Sequence, residues 1–282
     1  MSTREYVAPR SIDAVLRLLA EGTYTILAGG TDVYPAHVGK PEPDRVLDVS
    51  GVMDLRGISN ASGWWRIGAT TTWTDLVGAK LPTGFACLQQ AAAQIGGVQV
   101  QNAGTIVGNL CTASPAGDSI PALLALDAEV ELLSLQRTRR MGLDEFIVGY
   151  RKTVREAHEL VSNVYIPEVA ANSSSTFEKF GTRSYLVISL AMVAVSVRRD
   201  AAGSIADLRI AVGACSPVAM RLVALERRLL KERLSGQVAP TITVDDVSAL
   251  TPIDDIRCTA KYRFDLVPVL IRRALEGSGW AS

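Results

Sequence analysis

The chain has 282 residues, of which 48% are hydrophobic and 21% are charged, and its formal net charge at pH 7 is zero. This composition is typical of a globular protein and excludes a disordered chain, and the balanced charge gives no indication of a nucleic-acid-binding surface. The length is sufficient for two or three compact units with a large hydrophobic core.

The first expected unit, residues 1–57, begins without the apolar segment of a signal peptide, so we expect a cytoplasmic protein. Ser11 is a suitable N-cap for a helix over residues 12–20. A short apolar strand then runs from Thr25 into a Gly-Gly turn, and a loop rich in proline and glycine precedes a second strand over residues 45–49.

The second expected unit, residues 58–171, mixes strands and helices. Apolar residues that alternate with polar ones predict strands, and apolar residues spaced by three and four predict helices. The predicted elements are, in chain order, a strand at 64–69, helices at 74–78, 84–95 and 120–126, a strand at 129–135, a short helix or turn at 143–148 and a strand at 160–166.

A polar segment at residues 172–175 is interpreted as a linker to the third expected unit, residues 176–282. A turn signal, Asp200-Ala201-Ala202-Gly203, predicts a β-hairpin. The predicted elements of this unit are strands at 193–198 and 205–212 and helices at 219–234, 245–250 and 259–275. The longest apolar run, residues 186–197, is shorter than the roughly 20 residues needed to cross a bilayer, so we expect it in the core.

The four cysteines, Cys87, Cys111, Cys215 and Cys258, lie far apart and form no C-x-x-C pair. Iron–sulfur clusters are held by sets of cysteine thiolates with typical spacings, so we expect no cluster on this chain. We interpret the four residues as buried thiols of a protein in a reducing compartment. The two histidines are isolated, so we also expect no other metal site.

Residues 99–118 form the most informative stretch, because they are rich in Gly, Asn, Thr and Ser and carry few charges. Glycine lets the main chain approach a ligand closely, and hydroxyl, amide and main-chain N–H groups are suitable donors to phosphate oxygens. We interpret the stretch as a loop that wraps a bulky polar ligand such as a nucleotide. The alternative is an ordinary glycine-rich surface loop.

A second glycine-rich stretch, residues 25–33, reads as an apolar strand that leads into Gly29-Gly30-Thr31-Asp32. It again offers main-chain N–H groups and a hydroxyl. Neither G-x-G-x-x-G nor G-x-x-x-x-G-K-[ST] occurs in the chain, so the Rossmann fingerprint and the P-loop are both absent.

No group of residues predicts catalysis by the protein's own side chains. The nucleophile motif G-x-S-x-G is absent, and neither histidine lies in a recognisable motif. The acidic pairs Asp245-Asp246 and Asp254-Asp255 are typical of helix starts. This absence fits an enzyme whose cofactor carries the chemistry.

Residues 28–32, 104–109 and 113–118 together resemble the FAD-binding (medium) subunit of the molybdenum hydroxylase family, which includes xanthine dehydrogenase, carbon monoxide dehydrogenase and aldehyde oxidoreductase. The resemblance continues through residues 177–179, 212–217 and 257–263 and so covers nearly the whole chain. It implies an α+β fold: a two-part FAD-binding domain of the PCMH/VAO-like type, followed by a smaller C-terminal domain with an antiparallel sheet and helices.

The resemblance also implies how FAD is held. The Gly-Gly turn would wrap the pyrophosphate, Asp118 would bind a cofactor hydroxyl, and Val161 would cover the adenine. Lys179 would lie near the isoalloxazine ring and stabilise negative charge, the alternative being a solvated lysine on a strand. The implied cofactor-binding residues are Ile26, Leu27, Ala28, Gly29, Gly30, Thr31, Asp32, Val33, Thr105, Ile106, Val107, Gly108, Asn109, Asp118, Val161 and Lys179.

The chain departs from the family pattern at three positions. The family often has Arg-x-Arg-Gly-Thr-Ile-Gly-Gly-Asn, where this chain has Gln101, Ala103 and Val107 in place of two arginines and a glycine. The frame of the motif is kept, but local positive charge is lost.

The implied function is electron relay. A molybdopterin-binding large subunit would oxidise a substrate, [2Fe–2S] clusters on a small subunit would carry the electrons, and FAD on this chain would deliver them to NAD, dioxygen or a quinone. The molybdenum cofactor and the clusters would lie on those partners, in a heterotrimer or a dimer of heterotrimers. Two alternatives remain open: a stand-alone FAD-dependent oxidase, and a structural subunit that has lost FAD.

Overall fold

The computed structural model describes residues 4–234 and 241–280. Within these ranges the chain has an α+β fold of sheets packed with helices. The strands are β1 Glu5–Val7, β2 Thr25–Leu27, β3 Arg45–Asp48, β4 Ile58–Ala61, β5 Trp64–Gly68, β6 Glu129–Leu133, β7 Thr138–Gly142, β8 Ile147–Gly149, β9 Lys152–Thr153, β10 Leu160–Pro167, β11 Ser173–Phe180, β12 Ala191–Arg199, β13 Ile205–Gly213 and β14 Met220–Arg221. The helices are α1 Ile12–Glu21, α2 Val33–Ala36, α3 Trp73–Gly78, α4 Ala86–Ala93, α5 Val98–Ala103, α6 Ile106–Thr112, α7 Ser119–Ala125, α8 Leu143–Phe146, α9 Val223–Leu234 and α10 Ala260–Gly277.

The first sheet is parallel, with strand order β1-β3-β2. Helix α1 connects β1 to β2 and is capped as predicted, because the Ala14 N–H donates to Ser11 Oγ over 3.3 Å. Its apolar face buries Val15 and Leu19. Since the strands are parallel, their carboxyl ends share one edge, and residues 28–33 leave β2 at that edge.

The second sheet is antiparallel, with strand order β4-β5-β10-β6-β7. Helices α3–α7 lie between β5 and β6 in the chain, and α6 contacts β10 of this sheet. Ile67, Val130 and Val164 of the sheet are fully buried. Residues from the first and second sheets belong to the same hydrophobic cluster. The first two expected units therefore share one core.

The third sheet is antiparallel, with strand order β11-β12-β13-β14, and the hairpin predicted at residues 200–203 joins β12 to β13. Side chains of β12 alternate between two cores. Val193 and Val195 pack with α9 and α10, whereas Met192 and Ala194 join the cluster of the first two sheets. Helices α4 and α7 contact this second face.

The prediction of a linker at residues 172–175 is wrong for residues 173–175, because these three serines form the start of strand β11. Ser175 is 5% exposed, and its hydroxyl donates to the Gly84 carbonyl over 2.8 Å and accepts from the Cys87 N–H over 2.9 Å. Ser173 Oγ donates to the Ala170 carbonyl over 2.6 Å. Serine is tolerated in this buried strand because each of these hydroxyls has an internal partner.

The glycine-rich stretch at residues 99–118 is not the continuous loop that we expected. It contains most of α5, all of α6 and the turn into α7. Thr105 separates α5 from α6 and caps α6, because its Oγ1 accepts from the Gly108 N–H over 3.2 Å. The Thr105 cap therefore explains how a loop-like composition begins helix α6.

Three further predictions need correction. The apolar run at residues 186–197 lies in the core only from Leu190 onward, since Leu186 and Ile188 are 47% and 53% exposed. The helix expected from residue 219 begins at Val223, because Met220–Arg221 pairs with β13. The helix expected at 245–250 is a single 3-10 turn, Asp245–Val247. The chain ends, residues 1–3 and 281–282, lie outside the described residues.

Candidate functional site

A cleft of about 820 Å³ lies beside the carboxyl edge of the first sheet. Its walls include the turn at residues 28–33, helix α6 and the chain from Arg151 to Arg155. The volume falls within the roughly 300–1,000 Å³ of small-molecule sites. The elements of two sheets thus enclose a space suited to a ligand of nucleotide size.

Twelve of the sixteen cofactor-binding residues expected from the sequence line this cleft. They are Ile26, Ala28, Gly29, Gly30, Thr31, Asp32, Val33, Thr105, Val107, Gly108, Asn109 and Val161. The other four, Leu27, Ile106, Asp118 and Lys179, are not part of the lining. Leu27 and Ile106 are buried core residues, 4% and 0% exposed.

The two glycine-rich stretches touch each other through their main chains. A Cβ atom on Gly29 would lie 1.7 Å from the Ala103 carbonyl oxygen, which is closer than any side chain allows. A Cβ on Gly104 would lie 3.2 Å from Thr31 Oγ1 and 3.1 Å from Trp73 Nε1. Glycine is therefore required at position 29 for this wall of the cleft to close, and a side chain at position 104 would press against Thr31 and Trp73.

The turn at residues 28–33 has main-chain N–H groups that are free to donate hydrogen bonds to a ligand. None of its main-chain N–H groups donates a hydrogen bond to a group within residues 4–234 or 241–280. Gly30 supports this conformation with a φ of +70°, which is in the left-handed region that favours glycine. A series of free N–H groups along a turn is suited to an anion such as a phosphate.

Helix α6 contributes polar groups to the same cleft. Asn109 Oδ1 accepts from Ser119 Oγ over 2.8 Å, which fixes the side-chain amide. Its amide nitrogen donates to none of the residues that the structure describes. A Cβ on Gly117 would lie 3.1 Å from Asn109 Oδ1, so the turn before α7 also approaches closely.

A basic wall, which we define as Arg151, Lys152 and Arg155, lines the cleft and was missed by the sequence analysis. Arg151 pairs with Asp32 of the turn, with 2.6 Å between Nη2 and Oδ2. The Arg155 guanidinium donates to the main-chain carbonyls of Glu156 and Glu159 over 3.0 and 2.8 Å, so those contacts leave its positive charge intact. Three cations within five residues were the available sequence signal.

Asp118 and Lys179 form a buried ion pair behind the cleft wall, with 2.6 Å between Oδ2 and Nζ. Their side chains are 8% and 6% exposed, so the alternative of a solvated lysine is wrong. Ser189 Oγ donates to Asp118 Oδ1 over 2.5 Å, and Lys179 also donates to the Gln94 carbonyl over 3.1 Å. We name Asp118, Lys179 and Ser189 the ion cluster.

The electrostatic balance of the ion cluster is set mainly by burial. Burial raises the pKa of the Asp118 carboxyl above its ordinary value, and the opposing effects of Lys179 and Ser189 reduce this increase without reversing it. Gly117 and Ile95 line the cleft. Gly117 precedes Asp118 of the cluster, and Ile95 follows Gln94, whose carbonyl accepts from Lys179. The cluster therefore supports the wall from behind.

The remaining titratable residues give no second chemical centre. Among residues 4–234 and 241–280, no three His, Cys, Asp or Glu side chains are grouped so as to hold a metal ion. The expectation of four buried thiols is wrong for Cys111, which is exposed and lines the cleft; Cys87 and Cys215 are buried, and Cys258 is partly buried. The cleft can thus bind a polar ligand but offers no grouped metal ligands.

Two family models match the chain. Residues 2–169 match the FAD binding domain in molybdopterin dehydrogenase, and residues 175–278 match the CO dehydrogenase flavoprotein C-terminal domain. The cleft residues from 24 to 161 all lie within the first match.

Known proteins resemble the chain over nearly its whole length. It is 32% identical over 263 residues to the nicotinate dehydrogenase FAD-subunit of Eubacterium barkeri, covering 90% of this chain and 86% of that protein. It is 27% identical over 287 residues to the carbon monoxide dehydrogenase medium chain of Hydrogenophaga pseudoflava, covering 98% and 97%.

Solved structures show the same fold. A carbon monoxide dehydrogenase structure from Hydrogenophaga pseudoflava, which lacks the Mo-pyranopterin moiety, superposes with a TM-score of 0.84 at 27% identity and covers 98% of this chain and 96% of that one. A structure of Cu,Mo-CO dehydrogenase in its cyanide-inactivated form superposes with a TM-score of 0.88 at 23% identity, covering 99% and 98%.

Proposed function

This chain belongs to the FAD-binding subunits of the molybdenum hydroxylase family, which are subunits of oxidoreductases, and from that premise we propose that it holds FAD in the cleft and relays electrons. In this proposal the electrons come from [2Fe–2S] centres on a partner subunit and pass to an external acceptor, namely NAD, dioxygen or a quinone. When bound, FAD supplies the electron-transfer chemistry.

One observation carries the proposal: the two glycine-rich stretches close one wall of a cleft of about 820 Å³ and leave the N–H groups of residues 28–33 free. These features fit a dinucleotide with a pyrophosphate. The free N–H groups match phosphate oxygens, and the basic wall faces the same cleft and opposes negative charge. The residues present thus fit FAD.

Individual residues have separate roles in the proposal. The main chain around Gly29 and Thr31 holds the pyrophosphate, and Thr105, Gly108 and Asn109 contact the phosphates and the ribityl chain from α6. Ile26, Ala28, Gly30, Asp32, Val33, Val107 and Val161 complete the lining, with Val161 at the adenine.

We revise the roles that the resemblance implies for the ion cluster. The Asp118 carboxylate accepts from Lys179 and Ser189, and it lies behind the lining of the cleft. Lys179 and Asp118 carry opposite charges at 2.6 Å, so the pair presents little net charge toward a flavin. We therefore propose that the cluster positions the wall and does not itself bind the cofactor.

The proposal also includes the assembly. A molybdopterin-binding large subunit and a [2Fe–2S] small subunit would complete a heterotrimer or a dimer of heterotrimers. The chain's four cysteines form no cluster-binding set, which supports placing the iron–sulfur centres on a partner. No helix in the described part of the chain is long and apolar enough to cross a membrane. We propose a cytoplasmic location and a division into units at residues 1–57 and 58–171 and a third unit that, because Ser173 begins β11, covers 173–282 rather than the expected 176–282.

The test begins with the absorption spectrum of the purified full chain, recorded before and after incubation with FAD and desalting. We expect retained flavin bands and release of free FAD on denaturation. A chain that stays colourless, alone and with its partner subunits, contradicts FAD binding and supports the structural-subunit alternative.

A second measurement tests the relay. We expect substrate to reduce the flavin only when the large and small subunits are present. Flavin reduction by substrate in the isolated chain contradicts the relay and supports the stand-alone oxidase. Omitting only the small subunit is the matched control, because the proposed electron path runs through it.

A further inference from the structure

Asp32 and Arg151 come from two different elements that line the cleft. Asp32 lies in the turn that follows β2 of the first sheet, and Arg151 lies in the turn between β8 and β9. The residues are 119 positions apart in the chain, yet Arg151 Nη2 and Asp32 Oδ2 are 2.6 Å apart. Both residues line the cleft, so the pair links two separate parts of its lining.

The main chain on each side is held independently of this pair. The Arg151 N–H donates to the Ala113 carbonyl over 3.0 Å, and Arg151 has a φ of +50°, which fixes a tight turn. The Asp32 carbonyl accepts from the Ala36 N–H over 3.0 Å. Breaking the ion pair would therefore free two side chains without dismantling either wall.

The pair is also the one direct link between these walls in the described chain. Within residues 4–234 and 241–280, no other hydrogen bond or ion pair joins residues 28–33 to residues 147–153. The side chains are 43% and 49% exposed, so water and salt reach the pair. An exposed pair of this kind opens easily and is sensitive to ionic strength.

We propose that Asp32 and Arg151 form a strap across the cofactor cleft that slows the release of FAD. The inference rests on the proposed function, because FAD is the occupant. The strap closes when the carboxylate and the guanidinium pair, and it must open for the cofactor to leave. In a different arrangement, Arg151 binds a phosphate of FAD directly, and Asp32 competes with the phosphate for the Arg151 guanidinium. Removing the Asp32 charge would then slow the release of FAD, whereas the strap predicts faster release.

The experiment measures FAD release from the loaded full-length chain by the rise in flavin fluorescence after dilution into an excess of an unrelated apoflavoprotein that captures free FAD. The variants are Asp32→Asn, Arg151→Gln, the double variant and the charge-swapped pair Asp32→Arg with Arg151→Asp. Lys261→Gln is the matched control, because it breaks an exposed pair with Asp265 on α10, outside the cleft.

We expect each single variant to release FAD about two to five times faster, as an exposed ion pair allows. The double variant should be no faster than either single variant, and the charge-swapped pair should return to within about twofold of the original rate. Added salt should accelerate release from the original chain more than from the double variant, whose remaining salt dependence comes from Lys152 and Arg155 of the basic wall. The salt comparison does not need the charge-swapped protein.

Two results overturn the strap while leaving the proposed function intact. In one, the original chain holds FAD and all variants release it at the original rate. In the other, Asp32→Asn slows release while Arg151→Gln accelerates it, which assigns Arg151 to direct phosphate binding. An original chain that takes up no FAD overturns the proposed function and the strap together.

Discussion

Two polar regions border the cleft, and they use their polar groups in opposite ways. The turn at residues 28–33 leaves its N–H groups free and depends on glycine for its close approach to Ala103. The ion cluster satisfies its charges internally and is 6% to 8% exposed at Asp118 and Lys179. Free donors are available to a ligand, whereas groups already paired contribute to the shape of the wall.

The two regions therefore have different roles: the turn at residues 28–33 is suited to bind the ligand, and the ion cluster is suited to support the wall of the cleft. Both regions carry residues that the resemblance assigns to FAD, but the structure places one at the surface of the cleft and the other behind it. Substitutions in the turn should therefore change cofactor affinity first. Substitutions in the ion cluster should change the stability of the chain first.

The largest effect is expected for Lys179→Met, which leaves the Asp118 carboxylate buried without its cation. Removing one partner of a buried pair costs about 3–5 kcal/mol, because an uncompensated charge remains. Urea unfolding of the chain without FAD measures this loss. The matched control is the double variant Lys179→Met with Asp118→Leu, which removes both charges and should recover most of the stability.

The pH dependence of this variant has a definite sign. Burial raises the folded-state pKa of Asp118 above the ordinary 3.8, so its contribution to stability is fully present below the unfolded pKa and is lost as the pH rises through the folded pKa. Without Lys179 the pKa rises further. The deficit of Lys179→Met should therefore be larger at pH 7 than at pH 4, and an equal deficit at both would contradict the buried pair.

Gly29→Ala should disrupt the turn at residues 28–33. Its Cβ would lie 1.7 Å from the Ala103 oxygen, so the two glycine-rich stretches must separate. We expect a stability loss of about 1–3 kcal/mol and a loss of FAD affinity of about tenfold or more, measured by flavin titration. Gly78→Ala is the control, because nothing lies within 4 Å of the added atom. If Gly29→Ala left the affinity for FAD unchanged, FAD would not bind against this turn.

Arg155→Gln tests whether the basic wall acts with the turn. Removing one cation from the cleft should weaken FAD binding by about 1 kcal/mol, roughly fivefold, and should make the affinity less dependent on salt. Arg273→Gln on α10 removes an exposed charge outside the cleft and should change neither value. Equal effects of the two substitutions would show that only net charge matters.

The smallest effect concerns thiol accessibility. Cys111 is exposed and lines the cleft, so bound FAD should slow its alkylation about twofold to tenfold, a range set by partial coverage of the side chain. Cys258 lies outside the cleft and serves as the internal control. Peptide mass spectrometry measures both rates in one sample. Equal protection of both thiols would indicate a general change in the protein.

Local signals in the sequence predicted most of the secondary structure. Ser11 and the spacing of Val15 and Leu19 define α1, and the turn at residues 200–203 defines the β12–β13 hairpin. These elements are set by neighbours in the chain, so their positions follow from capping, periodicity and turn chemistry.

Features that depend on distant contacts were not predictable in the same way. The approach of Gly29 to Ala103 joins residues 74 positions apart, and the pair of Asp118 with Lys179 joins residues 61 apart. The hydroxyl partner of Ser175 is likewise distant in the chain, so a buried strand resembled a polar linker. Arg155 carried a visible charge, but only the fold shows that it lines the cleft.

The hydroxyl of Ser175 has a consequence for recombination between relatives. The two family models meet between residues 169 and 175, which suggests a natural crossover point for chimeras. However, Ser175 bonds to Gly84 and to the Cys87 N–H, and Met192 and Ala194 pack into the core of the N-terminal part. A chimera joined at that point would inherit mismatched surfaces on both sides, so α4 and α7 must be exchanged together with the C-terminal sheet.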